Sequence, residues 1–285
     1  MPAITFWWWP ALTMSGTLEY MTKIAIIGGG QIGEALTGGL IASGFDGKDI
    51  VVTNRGAERR KEFEETYKVN TTDNNQEAVS DADVVFVCVK PYAIVDMFAE
   101  INDSLPEGAV VVSMAAAINL EKLEGAVGPK VPVVRSLPNT PMLVRNGMNI
   151  VVPGKNVTSE QLDTVKELLS TVGAVLELTE DKMDVAAALA GSGPAYYFLV
   201  TEALIDAGVN LGLTRDQASE LANVTAAGAG QLLVESEKNA SSLRYGVSSP
   251  GGTTVAALRE LEESGIRGAF FRAIEKCVER TRSIS

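Results

Sequence analysis

From Lys23 onward, compact apolar runs alternate with stretches in which apolar positions recur at helical spacing: KIAIIG, QIGEALTGGLIASG, DIVVTN and AERRKEFEETY. Short continuous apolar runs predict buried strands and the spaced patterns predict helices, so the chain opens on a βαβ unit. The strand signal returns in ADVVFVCVK (82–90), AVVVSMA (109–115), VPVVRSLP (131–138) and NIVVPG (149–154), with a helical IVDMFAEINDSL (94–105) between the first two. Strands that are apolar along their whole length belong to a parallel sheet covered on both faces. A helix at SEQLDTVKELLSTVG (159–173) and a strand at AVLELTE (174–180) close this part of the pattern.

Beyond it the periodicity is helical throughout: MDVAAALAG, AYYFLVTEALIDAGVNLG, RDQASELANVTAAGAGQLLVES, and a last segment from REL to RTRS. Many Ala and Gly positions let these helices approach closely, and residues 195–205 and 221–234 are nearly apolar on all sides. Such faces are buried against a second subunit as much as within one chain, which predicts a homodimer or higher homo-oligomer. The expected fold class is α/β, an N-terminal Rossmann-type doubly wound sheet followed by an all-helical C-terminal oligomerisation domain. The change of periodicity places the first domain over 21–181 and the helical one over 182–285.

Residues 1–20, MPAITFWWWPALTMSGTLEY, stand apart, with three adjacent Trp and two Pro but no Lys or Arg. A secretory leader requires a basic start, so the segment is expected to lie outside the fold, as an extension from an early start or a disordered tail. A tail touching a membrane interface is the other reading, since Trp favours that environment.

Composition narrows the chemistry. A length of 285 residues with 46% hydrophobic content suits about two domains, and a formal charge of −12 opposes nucleic acid or an anionic membrane as partner. The absence of histidine removes the commonest general base and zinc ligand together with the Ser-His-Asp triad, and no metal site is expected. Cys88 and Cys277, the two cysteines, fall in strand-like and helical runs and read as buried thiols of a reducing cytoplasm.

The stretch GGGQIG puts Gly28, Gly30 and Gly33 in GxGxxG register between a strand and a helix. Gly28 serves the tight turn, Gly30 the approach of a pyrophosphate to the backbone, and Gly33 the packing of helix on strand. Gly29, Gln31 and Ile32 complete this dinucleotide-binding loop. Roughly 20 residues later, where an NAD enzyme carries an acid for the ribose 2′-hydroxyl, stand Thr53, Asn54 and Arg55. Asn54 can bond ribose or phosphate and Arg55 can offer its fork to a 2′-phosphate, which favours NADP, as NADPH, over NAD. Arg59 and Arg60 lie close by, so Arg55 can also be read as one more solvated arginine.

Six motifs, IIGGGQIG (26–33), VKP (89–91), SMAA (113–116), RSLPNTP (135–141), GSGPAYYF (191–198) and SSPGGTT (248–254), together resemble those of the pyrroline-5-carboxylate reductases over nearly all of the chain from Met21. Small departures are Leu137, Ala190 and the RYG at 244–246. The resemblance implies the last step of proline synthesis, NADPH-dependent reduction of the C=N bond of 1-pyrroline-5-carboxylate, a small cyclic imine. It also implies that Val89, Lys90, Pro91, Met114, Ala115 and Ala116 line the nicotinamide half of the coenzyme, and that Asn75 and Glu180 touch it.

Reduction of an imine needs a hydride and a proton on nitrogen, and no strong base. The loop Ser249, Gly251, Gly252, Thr253 and Thr254 at the head of a helix offers backbone N–H groups and a positive dipole end to the substrate carboxylate. By the resemblance, Thr254 is the catalytic residue, its hydroxyl lying against the substrate nitrogen; an ordinary Ser/Thr helix cap is the plainer reading. A β-hydroxyacid-dehydrogenase-like oxidoreductase would need a lysine base, for which Lys182 alone is placed. A non-catalytic NADPH-binding protein is the third reading.

Overall fold

The computed structural model describes residues 22–116 and 118–284; the first twenty residues, read above as an extension, lie outside it. Eight strands form one sheet in the order β3-β2-β1-β4-β5-β6-β7-β8. They are β1 (Ile24–Ile27), β2 (Ile50–Thr53), β3 (Asn70–Thr72), β4 (Val84–Val87), β5 (Val110–Ser113), β6 (Val133–Leu137), β7 (Gly147–Pro153) and β8 (Gly173–Glu177). Strands β1 to β6 run parallel.

The sheet departs from the all-parallel expectation at β7, which pairs antiparallel to β6, with β8 following β7. The connection between Leu137 and Gly147 holds only a 3₁₀ turn, Thr140–Val144, too short for the crossover that a parallel return requires.

Alternation along β1 divides the core. Ile24 and Ile26 point to one face, packed with Leu36 and Leu40 of α1 (Gln31–Ala42), Phe63 of α2 (Ala57–Tyr67), and Leu168 and Leu169 of α6 (Ser159–Ser170). Ala25 and Ile27 point to the other, against α3 (Asn75–Val79), Ile94, Phe98 and Ile101 of α4 (Ile94–Ile101), and Leu123 and Val127 of α5 (Leu120–Val127). Covering both faces explains why the central strands carry almost no polar residues.

The helical half comprises α7 (Met183–Ala186), continued by a π-turn over Ala187–Gly191, then α8 (Gly193–Asn210), α9 (Arg215–Glu235), α10 (Ala240–Gly246), α11 (Thr253–Glu263) and α12 (Ile266–Ile284). The expected single last helix is broken at Gly265, whose φ of +75° an α-helix cannot hold. Helices α8 and α9 pack on each other, and α12 returns against α7 and the π-turn. No helix among the described residues is long and apolar enough to cross a membrane.

Candidate active site

Strand β1 lies between β2 and β4, so the loops leaving β1 and β4 diverge beyond the carboxyl ends of the strands and open a crevice. Gly28 has φ +102°, and a Cβ there would meet the Cys88 carbonyl oxygen at 3.1 Å and Val89 Cγ1 at 3.4 Å. Gly33 is tighter, because a Cβ would lie 2.3 Å from the Gly28 carbonyl oxygen. Around Gly30, the N-cap of α1, there is open space. The loop thus presses inward at its first and third glycines and leaves room at the second, as a pyrophosphate against a helix N-terminus requires.

What holds this loop was only partly legible beforehand. Gly28 N donates to Thr53 Oγ1 at 3.2 Å and Gly29 N to Thr53 O at 2.8 Å. The Gly29 carbonyl accepts from Asn54 Nδ2 at 3.3 Å and from Arg59 Nε at 3.2 Å. Asn54 Oδ1 meanwhile accepts Gly56 N at 2.9 Å, so this amide fastens the loop to the end of β2, a task the sequence did not reveal.

The three arginines now separate. Arg59 lies over the Phe63 ring at 4.8 Å and is paired with Glu62 and Glu34, whose hydrogen bonds hold its guanidinium above its ordinary pKa. Arg60 donates to the Asn54 carbonyl at 2.7 Å and reaches Asp73 at 3.3 Å. Arg55 is exposed, and its side chain has no hydrogen-bond or ion-pair partner among the described residues. Of the cluster it is the one guanidinium left for a phosphate. A charge-assisted bond of this kind is worth about 1.5–3 kcal/mol, so Arg55→Ala is expected to raise the KM for NADPH roughly ten- to a hundredfold. The KM for NADH should stay put, and steady-state kinetics with both coenzymes checks the contrast.

Beyond β4, Val89 is half-buried against the second core face while Lys90 is exposed, followed by Pro91 at the start of a 3₁₀ turn. Beyond β5, the side chains of Met114 and Ala115 enter the core on opposite faces, so these two can offer the crevice only backbone, whereas Ala116 is exposed. Asn75 heads α3 and donates to Glu100 at 3.0 Å. Gln31 is exposed and Ile32 half-buried at the head of α1. Glu180 accepts from Leu120 N at 3.1 Å and pairs with Arg135.

Neither cysteine is as deeply buried as expected; both are partly exposed and unpaired. The protein packed around the Cys88 sulfur nevertheless pushes its thiol up to about 12, far from a reactive thiolate. Cys277 Sγ lies 3.4 Å from Ser192 Oγ.

In the helical half, Gly251 has φ +70° and Gly252 is the N-cap of α11, with no side chain capping the helix. The Ser/Thr-cap reading therefore fails, and the first N–H groups of α11, at Thr253 and Thr254, have no protein partner among the described residues. The Thr254 hydroxyl has no partner among the described residues. Gly252 N instead closes the turn on the Ser249 carbonyl at 2.9 Å.

A dinucleotide crevice at the switch point of a sheet, joined to a helical half with an uncapped helix start, defines a two-part nicotinamide-nucleotide oxidoreductase. Residues 180–284 match the family described as pyrroline-5-carboxylate reductase dimerisation, and residues 23–117 the family described as NADP oxidoreductase, coenzyme F420-dependent. Over 93% of its length the chain is 55% identical to the pyrroline-5-carboxylate reductase of Corynebacterium melassecola, covering 99% of that protein. The structure of the Coxiella burnetii pyrroline-5-carboxylate reductase superposes with a TM-score of 0.90 at 37% identity, over 93% of this chain and 99% of that one. The Plasmodium falciparum pyrroline carboxylate reductase, a crystal structure with NADP bound, gives 0.80 at 29% identity over 92% and 98%. The chain belongs to the pyrroline-5-carboxylate reductase family.

Proposed function

We propose that the chain reduces 1-pyrroline-5-carboxylate to L-proline with NADPH, as a cytoplasmic homodimer or higher homo-oligomer. The single observation that carries the reading is the start of α11, which no side chain caps and where the Thr253 and Thr254 N–H groups and the Thr254 hydroxyl have no protein partner among the described residues. The N–H groups and the helix dipole hold the substrate carboxylate, which the bare backbone of Gly251 and Gly252 lets approach closely. The Thr254 hydroxyl donates to the ring nitrogen, drawing electrons from the C=N bond as its carbon accepts hydride; the nitrogen takes its proton from solvent. NADPH, when bound, supplies the hydride. The open space at Gly30, the helix N-terminus behind it and the unpaired Arg55 fit that coenzyme.

Orientation carries most of the rate, since one hydrogen bond to the developing charge is worth about 2.7–4 kcal/mol. Thr254→Ala is therefore expected to lower kcat about a hundredfold without abolishing it, and Thr254→Ser to retain most of it. Steady-state oxidation of NADPH by the imine measures both; an alanine variant equal to wild type would remove Thr254 from the site.

Free cysteines without a disulfide support the cytoplasm. Apolar side chains exposed along α8 and α9, among them Phe198, Leu199, Leu204, Leu221 and Val224, support a second copy lying against these helices. The dehydrogenase reading fares worse, because Lys182 is exposed and bonded to Asp181, which raises its pKa, the opposite of a lysine prepared to take a proton.

A further inference from the structure

Arg135 is out of character with its strand. It is 5% exposed, in the middle of β6, where every residue is buried. Its Nη1 bonds Glu180 Oε1, and the same oxygen accepts Leu120 N at 3.1 Å. Leu120 is the first residue of α5, which is entered from the loop that leaves β5 through Met114, Ala115 and Ala116. Glu180 stands just ahead of α7, where the helical half begins. One carboxylate therefore joins the sheet, the loop at the mouth of the crevice and the start of the helical half.

The arrangement is a poor source of stability. Glu180 Oε2 is enclosed without a hydrogen-bond partner among the described residues although the side chain as a whole is half-exposed, and apolar side chains of similar size commonly serve as well as an ion pair that leaves a buried oxygen unsatisfied. We propose that Arg135 and Glu180 are positioning residues for the reduction: their shared contact fixes the loop after β5, at the nicotinamide end of the crevice, relative to the helices that carry Thr254. The pair acts through the backbone N–H of Leu120 at the head of α5 rather than by touching the reacting atoms. The adenosine end, at the glycine loop and Arg55, lies across the switch point and outside its reach. This inference rests on the reductase function proposed above.

The test titrates wild type, Glu180→Gln, Arg135→Met and Arg135→Lys with NADPH and with 2′,5′-ADP, which carries the adenosine end alone, and then measures turnover. Glu180→Gln and Arg135→Met should bind 2′,5′-ADP within about twofold of wild type, bind NADPH about tenfold more weakly, and turn over ten- to a hundredfold more slowly at saturation, as roughly 1 Å of misplacement would cause. Arg135→Lys, which keeps the charge, should fall between them and wild type. Equal loss of both affinities would reduce the pair to a structural role and overturn the proposal, as would wild-type NADPH affinity and turnover in Glu180→Gln, the variant that keeps the side chain's shape. A wild-type protein with no imine-dependent oxidation of NADPH would instead sink the reductase reading, and the contrast between the two ligands would still decide the role of the pair.

Discussion

Replacing Gly33 by alanine is expected to abolish useful binding of NADPH. The new methyl carbon would stand 2.3 Å from the Gly28 carbonyl oxygen and 3.2 Å from Ile26 Cγ2. The first contact is with backbone at the turn itself, so α1 must slide away from β1. Overpacking of this kind costs about 1–3 kcal/mol of stability, and it carries the helix N-terminus off the phosphates, a displacement that loses about a hundredfold or more in function. Gly30→Ala is the informative companion. Its methyl would enter open space, so the protein should melt near wild type while the coenzyme loses room. Fluorescence titration with NADPH, alongside thermal denaturation, separates the two; a Gly33→Ala protein that binds normally would overturn the account of the loop.

Phe198→Glu combined with Leu221→Glu is expected to leave single chains in solution. These side chains are 66% and 59% exposed on α8 and α9, and a second copy covering them would have to bury two unpaired carboxylates per chain. Each such charge costs about 3–5 kcal/mol, and symmetry doubles the penalty. Light scattering should then report the mass of one chain, where the wild type reports at least two. A variant that stays assembled would show that other faces hold the copies together.

The parts of this molecule that follow from local patterns could be read directly. IIGGGQIG announced its turn because each glycine answers a steric demand visible at the level of single residues. Strands β1, β4, β5 and β6 announced themselves because burial on both faces makes their runs apolar almost throughout, with Ser113, Arg135 and Ser136 as the exceptions. Strand β3, Asn-Thr-Thr at the edge of the sheet, carries no apolar run because only one neighbour covers it. The reversal at β7 depends on the length of a connection rather than on the strand's own residues. The duties of the arginines were hidden for another reason. Arg55, Arg59 and Arg60 have the same chemistry, and only the fold reveals that Phe63, Glu34 and the Gly29 carbonyl claim Arg59 while the Asn54 carbonyl and Asp73 claim Arg60. For α11, the residue types also allowed a capped start, and the placement of Gly252 as N-cap decided against it.

The division between a sheet whose cores close within one chain and helices whose apolar sides remain uncovered has a consequence for biogenesis. The sheet can acquire its structure as soon as its own strands have been synthesised, at a rate indifferent to how many other copies are present. In the homo-oligomer proposed above, the long helices reach their final surroundings only by encounter, so their maturation is second order and slows as the protein is diluted. Newly made chains thus pass through an interval in which the coenzyme half is formed while greasy helices await a mate, and the length of that interval is set by expression level.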